Sequence, residues 1–398
     1  SAHQGAGRGS ARLGRSTVSA VPGPTPHAAS APSGPPRAGR RLGVVVNPTA
    51  GRGRGARVGQ DVIDRLAAAG HDVWNLSGAT ADLALEHSRR AVADELDTLV
   101  VVGGDGMVHL GIQAVAGTRT PLGVVAVGTG NDFATTLGLP VRDAEPCADA
   151  LLAALDAGAA AHRAVDLIAV TGAGLSQRKT AASADLTGDG LPDPVRWVAG
   201  AVSAGLDAAV NARANAMVYP RGSSRYVVAA LRELAAYRAW DYHLTFEHVH
   251  ADRAALDELL SLDGFSDLGP EADGVGRRLR WAAAGALVTA ANGSTFGGGI
   301  PVAPYAAIDD GLLDIVIAGD VRRRGASVLF PMLLAGKHLG HRDVRTVRAR
   351  AVVLEPAATG GGAAHVASAF GDGEHLGSLP LRAEAYRGAL TVLTPPAG

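Results

Sequence analysis

Short apolar runs that stop abruptly at glycine constrain this chain more than any other feature. Leu99-Val100-Val101-Val102 stops at Gly103-Gly104-Asp105-Gly106, and Leu122–Val127 stops at Gly128-Thr129-Gly130-Asn131-Asp132. Leu42-Gly43-Val44-Val45-Val46 stops at Asn47-Pro48-Thr49-Ala50-Gly51. A strand with no polar position is buried on both faces, as happens in parallel sheets covered by helices. Between these runs the periodicity is helical, at about 56–69 with Val58, Val62, Ile63 and Leu66 on one face, and again at 81–96. His71–Leu76 alternates as a further strand. The alternation predicts an N-terminal parallel α/β sheet.

The pattern changes after Ala161. Strand-like runs separated by Gly and Pro follow at Asp166–Val170, Trp197–Val202, Tyr242–Phe246, Ala286–Ala291, Leu312–Ala318, Ala351–Leu354 and Ala389–Leu393. One amphipathic helix is expected at Arg225–Ala239. The reading is an α/β nucleotide-binding domain at 41–162 and a β-rich sandwich domain at 163–398, with inserted segments near 171–196 and 247–276. Residues 1–40 are rich in Ser, Pro, Gly, Ala and Arg without periodicity, as expected of a disordered leader. They hold no apolar h-region of a signal peptide.

Composition narrows the partners. Six arginines and no acid fall in residues 1–41, so the remainder of a chain of net charge −1 is acidic. Aromatics are 4%. Neither property suits a nucleic-acid binder. The single Cys147 excludes an intrachain disulfide and a cysteine-based zinc site. The lysines are Lys179 and Lys337 alone, so a phosphate clamp must use arginine or backbone N–H groups.

Ligands of open α/β sheets bind at the carboxyl ends of the strands, where all three glycine loops fall. Glycine lets backbone N–H groups approach an anion, and the next helix N-terminus adds a favourable dipole. This predicts a nucleotide-phosphate site. Neither lysine follows a Walker-type glycine loop, and the Gly51-x-Gly53-x-x-Ala56 string does not follow its strand closely enough for a dinucleotide fingerprint.

The three loops, followed by Asn292-Gly293, Gly297-Gly298-Gly299, Pro301, Asp309-Asp310-Gly311-Leu312-Leu313-Asp314 and Asp372-Gly373-Glu374, resemble the diacylglycerol kinase catalytic domain family. That family includes soluble bacterial lipid kinases and sphingosine kinases. The resemblance runs from about Leu42 to Pro395. It implies an ATP- and Mg²⁺-dependent lipid kinase that phosphorylates a hydroxyl of a diacylglycerol-like lipid in the cleft between the domains. By that resemblance Gly103, Gly104 and Gly106 cradle phosphates and Asp105 organises the metal. Asn47, Thr49, Gly51, Thr129 and Asn131 line the nucleotide, with Thr80 a looser match. Asp132 completes the acidic network, with Asp166 a weaker candidate for it. Glu374 is the implied general base. Ala307, Asp310 and Leu312 match a structural metal loop, for which a plain Asp-Gly turn is the alternative.

The resemblance further implies a lipid substrate at a membrane surface, a cytoplasmic protein peripheral to the inner face of the membrane, and no nucleic-acid partner; a homodimer is left open. Two departures stand out: Met107 where the family commonly has Thr, and His109-Leu110 where it often has Asn-Glu. An NAD kinase, which shares the Gly-Gly-Asp-Gly loop, and a catalytically silent lipid-binding protein are the alternatives. Asp185–Asp193 imitates the start of an EF-hand loop but has Arg196 where a bidentate Glu is needed, and is read as a solvated acidic loop. Arg322-Arg323-Arg324 before the apolar stretch Ala326–Ala335 is read as a helix packed on the sandwich, with contact to anionic lipid as the alternative.

Overall fold

The computed structural model describes residues 39–47, 55–175, 195–219, 224–236, 239–321, 323–357 and 367–395. Thr49, Gly51, most of the first inserted segment with its EF-hand-like string, and nearly all of the expected leader lie outside them.

Strands β1 (Arg41–Val46), β2 (Asp72–Asn75), β3 (Thr98–Gly103) and β4 (Leu122–Ala126) form a parallel sheet in the order β4-β3-β1-β2. Helices α1 (Gly55–Ala68), α2 (Ala81–Ala93), α3 (Asp105–Val115), α4 (Asp132–Thr136) and α5 (Ala144–Ala157) lie along it. The apolar strands are divided by alternation. Leu42, Val44, Val100 and Val102 pack with Val62 and Leu66 of α1 and Leu151 and Leu155 of α5. Val45, Leu99 and Val101 pack with Leu85 and Val92 of α2 and Val108 and Ile112 of α3. Val46 pairs with Val102 and Gly103 with Ala126, so the carboxyl ends of β1, β3 and β4 lie at one edge.

The second domain is antiparallel. It comprises β5 (His162–Thr171), β6 (Arg196–Val198), β7 (Ala201–Gly205), β8 (Trp240–Val249), β9 (Phe265–Pro270), β10 (Arg277–Ala291), β11 (Leu313–Gly319), β12 (Val344–Pro356), β13 (Ser368–Gly371), β14 (Glu374–Ser378) and β15 (Leu381–Leu393). The long strands β10 and β12 serve both layers. β10 pairs with β8 in its first half and with β7 and β11 in its second, and β12 pairs with β11 and then with β8 and β15. Tyr242, Phe246, Leu279, Trp281, Ile315 and Val352 fill the core between them. β15 runs beside β5 and meets β4 in parallel at Val392 and Leu122, which joins the two domains through one sheet.

Helices α6 (Leu206–Ala216), α7 (Ser224–Ala235), α8 (Arg253–Ser261) and α9 (Arg323–Leu334) belong to this domain. The structure refines the sequence expectation. The run Trp197–Val202 is broken at Ala199–Gly200, where backbone N–H groups turn toward Asp372. The helix expected over Arg225–Ala239 ends at Ala235. The segment at 247–276, read as an insertion, supplies the end of β8 at Glu247–Val249, helix α8, and β9, which adds an edge strand to β10.

Candidate active site

A cleft of about 670 Å³ lies where the strand-end loops meet turns of the second domain. The first domain contributes Asp105, Gly106, Thr129, Asp132 and Thr136, and the second contributes Gly200, Asn211, Asn215, Arg225, Gly298, Asp372 and Glu374.

The two glycine loops interlock. The Val127 and Gly128 N–H groups donate to the Gly103 carbonyl at 2.9 and 3.1 Å. A Cβ on Gly128 would sit 2.3 Å from the Gly104 Cα, so this approach admits glycine only. Asn131 is 1% exposed and holds a left-handed backbone. Its side-chain amide closes on Gly128, accepting from the N–H at 3.0 Å and donating to the carbonyl at 2.9 Å. Its backbone N–H donates to Asp105 Oδ2 at 2.8 Å. Asn131 therefore shapes the loop and holds Asp105, with its own polar atoms committed inside the protein.

Asp105 opens α3, beside Gly104 at the N-cap, so the dipole and the first free N–H groups of the helix face the loops. Its Oδ1 is buried without a hydrogen-bond partner. Asp132 accepts from the Gly298 N–H at 2.7 Å, a bond between the domains. Burial pushes the Asp132 carboxyl up against the pull of that N–H, and the Asp105 and Asp372 carboxylates push it further. Converging carboxylates and an orphaned carboxylate oxygen fit a divalent cation. Among the described residues no cluster of three or more His, Cys, Asp or Glu side chains could hold a metal unaided. Mg²⁺ is commonly held by one or two carboxylates together with substrate phosphates and water.

Glu374 follows the turn Asp372-Gly373 between β13 and β14 and is exposed to the cleft. Asp372 anchors that turn by accepting N–H bonds from Ala199 at 2.7 Å, Gly200 at 2.9 Å and Ala201 at 3.3 Å. Burial raises the Asp372 carboxyl to about 6 in spite of these donors. The turn at 199–200 is held in its own right. Asn292 Nδ2 donates to the carbonyls of Asp166 and Ala199, both at 2.9 Å, and the Gln113 amide brackets Trp197 from α3. His109, on α3, is pushed down by burial against the opposing pull of Glu374.

The remaining sequence candidates do not line the cleft. Asn47 follows β1 with its side chain beside Gly103, its N–H bonded to the Val102 carbonyl at 3.2 Å. Thr80 caps α2, accepting from the Leu83 N–H. Asp166 is 1% exposed, with its carboxylate closed on the N–H groups of Gly311 and Gly388 at 2.6 and 2.7 Å. This corrects its expected place in the metal network: it ties the domain junction together. Asp310 accepts from the Leu312 N–H at 3.0 Å and pairs with Arg348, so a cation held with Ala307 and Leu312 would have to share that carboxylate with a guanidinium. Met107 is buried, with its side chain against Gly103, and Leu110 joins the same core, so both departures are absorbed by packing. Arg225 and Asn215 were not singled out by sequence. Arg225 is the one basic side chain among the described residues lining the cleft.

A second cavity of about 250 Å³ adjoins the cleft, with Asn211, Phe296, Gly297 and Gly298 lining both. Its walls are apolar: Val210, Ile300, Val316, Leu329, Phe330 and Leu333 contribute, with α6, α7 and α9 supplying one side.

Comparison with known proteins matches two family models. Residues 41–168 match the diacylglycerol kinase catalytic domain, and residues 200–394 match the YegS C-terminal NAD kinase beta sandwich-like domain. A "Diacylglycerol kinase" of Mycobacterium tuberculosis is 29% identical over 89% of this chain and 95% of its own length. A "Probable lipid kinase YegS-like" of Xanthomonas euvesicatoria is 27% identical over 67% of this chain and 70% of its own. The crystal structure of a diacylglycerol kinase from Bacillus anthracis shares the fold, with a TM-score of 0.56 at 20% identity, covering 90% of this chain and 97% of that one.

Proposed function

Because the chain belongs to the diacylglycerol kinase family of lipid kinases, we propose that it transfers the γ-phosphoryl group of ATP to a hydroxyl of a diacylglycerol-like lipid. One observation carries the choice of lipid. The polar cleft with its glycine loops and carboxylates shares a wall with an apolar cavity, so an acceptor with a hydroxyl at one end and hydrocarbon at the other fits both. A dinucleotide acceptor has no use for the second cavity.

Phosphoryl transfer depends mainly on positioning and charge neutralisation. The first N–H groups of α3 would meet the nucleotide phosphates, with Thr129 and Gly130 of the loop after β4 lining the cleft beside them. Bound Mg²⁺ would neutralise charge on the β- and γ-phosphates, and Asp105, with Asp132 beside it, would hold it. Arg225 adds a fixed positive charge from the second domain where negative charge accumulates. Among the carboxylates lining the cleft only Glu374 is exposed, and it takes the acceptor hydroxyl proton. Asp372 and Asp132 are committed to backbone N–H groups.

A diacylglycerol-like acceptor resides in a membrane. Among the described residues no helix is long and apolar enough to cross a bilayer. Peripheral attachment at the cytoplasmic face would bring the protein to its acceptor. The test is product analysis with labelled Mg·ATP and a panel containing diacylglycerol, sphingoid bases and NAD. Labelled phosphatidic acid is expected. Labelled NADP, or no labelled lipid from folded protein, would overturn the reading.

A further inference from the structure

The helix α6 (Leu206–Ala216) touches both cavities, and its residues divide between them in order. Asp207, Asn211 and Asn215 are spaced four apart and so share one face of the helix. Asp207 lines the apolar cavity, Asn211 lines both cavities, and Asn215 lines the catalytic cleft. Asn211 Nδ2 donates to the Asp207 carbonyl at 3.0 Å. Asn215 Nδ2 donates to the Gly373 carbonyl at 3.0 Å, across 158 residues of chain.

That carbonyl belongs to the turn that carries Glu374. Asp372 and Gly373 both have left-handed backbones, at φ 49° and 82°, a conformation a non-glycine residue keeps only when its surroundings enforce it. On one side the turn is tied to 199–201 through the Asp372 carboxylate. From the helical layer it is tied by Asn215.

We propose that α6 couples occupancy of the apolar cavity to the catalytic turn, with Asn215 as the positioning residue for Glu374. Hydrocarbon packed against Leu206 and Val210 settles the first half of the helix, and the Asn215–Gly373 bond at its far end sets the turn. Acyl binding energy then appears in turnover as well as in affinity, because part of it is used to orient the reacting groups. This inference rests on the lipid-kinase reading with the apolar cavity as the acyl site.

The experiment measures kcat and KM on a series of diacylglycerols of increasing acyl length, dispersed in the same detergent. Wild-type kcat should rise with acyl length until the cavity is filled. Asn215 is solvent-exposed, so its replacement should leave the fold intact. In Asn215→Ala, kcat should fall roughly 10–100-fold and lose its dependence on acyl length, while KM for the lipid still falls with length and ATP affinity is unchanged. Asn215→Asp, of the same size but with no N–H to donate, should behave as Asn215→Ala. Asn215→Gln, which keeps the donor, should recover part of the rate. Wild-type kcat in Asn215→Ala, or a reduced kcat that still climbs with acyl length, would overturn the coupling and leave the lipid-kinase reading standing. A wild-type enzyme that phosphorylates none of the series would remove that reading and the coupling with it.

Discussion

A carboxylate oxygen buried without a partner costs free energy, and Asp105 Oδ1 is such an atom. A cation or a donor that joined it would offset this cost, which is the basis of the metal-holding role proposed for Asp105. Asp105→Asn should therefore keep the fold and the unliganded stability, abolish turnover, and lose the extra thermal stabilisation that Mg·ATP gives the wild type over ATP with a chelator. Equal stabilisation of both proteins by Mg·ATP, read by calorimetry, would place the metal elsewhere. Asp372 behaves differently. Its carboxyl is raised to about 6 in the folded protein from an ordinary value of 3.8. A raised carboxyl contributes stability that is complete below the unfolded value and is lost as pH climbs through the folded one. The wild type should thus lose stability relative to Asp372→Asn between about pH 4 and 6, by at most about 3 kcal/mol. Paired urea titrations across that range would show it, and a flat difference would mean that the three N–H donors hold Asp372 ionised throughout.

Elements that bury both faces were the legible ones. β1, β3 and β4 contain no polar alternation, so both their existence and their parallel arrangement follow from composition along the strand. The loops after β3 and β4, with Asp105, Thr129 and Asp132, were legible for a related reason: glycines directly after a fully buried strand mark a close approach of backbone to backbone or to a ligand. The turn carrying Glu374 was found through family resemblance. Its strands β13 and β14 are short, and Gly371-Asp372-Gly373 alone reads as any exposed turn. α6 left no amphipathic signal, since its sequence LDAAVNARANA is mostly alanine and polar residues, and Asn215 went unnoticed with it. Arg225 sat in an expected helix, but only the fold of that helix against α6 brings it into the cleft. If Arg225 neutralises the transferring group, Arg225→Met should lower kcat by roughly 10²-fold and spare lipid KM. A change confined to lipid KM would instead make it a contact for the acceptor. Asp166 shows the opposite failure. Its residue type and its place at the domain junction fit a metal network, but two backbone N–H groups claim its carboxylate.

At the scale of the whole molecule, two domains joined through one sheet bring a candidate phosphate site, a candidate base and an apolar cavity to a common seam. The helical layer over that cavity also carries large apolar side chains in solvent. Val218 and Tyr219, just beyond α6, are 83% and 84% exposed, and Leu231 of α7 and Val328 and Leu334 of α9 are also exposed. Arg322 and the side chains of Arg323 and Arg324, for which contact with anionic lipid is the alternative reading, lie outside the described residues. Apolar side chains exposed on the helical layer that walls the apolar cavity suit an interfacial attachment. Replacing Val218 and Tyr219 together by Ser should weaken sedimentation with anionic vesicles and leave turnover of detergent-dispersed lipid intact. Unchanged sedimentation would take the attachment surface away from this layer. The central claim is that this seam phosphorylates a lipid hydroxyl with Glu374 as the base. It is tested by transfer of labelled phosphate from Mg·ATP to diacylglycerol, measured on wild type and Glu374→Gln across pH, with ATP affinity measured on the same preparations. The account predicts labelled phosphatidic acid from the wild type, with an acidic limb in its kcat profile. It predicts a kcat lower by roughly 10²–10⁴-fold, no such limb and unchanged ATP affinity in the variant. Near-normal kcat in a folded Glu374→Gln protein, or no labelled lipid from the wild type, would contradict it.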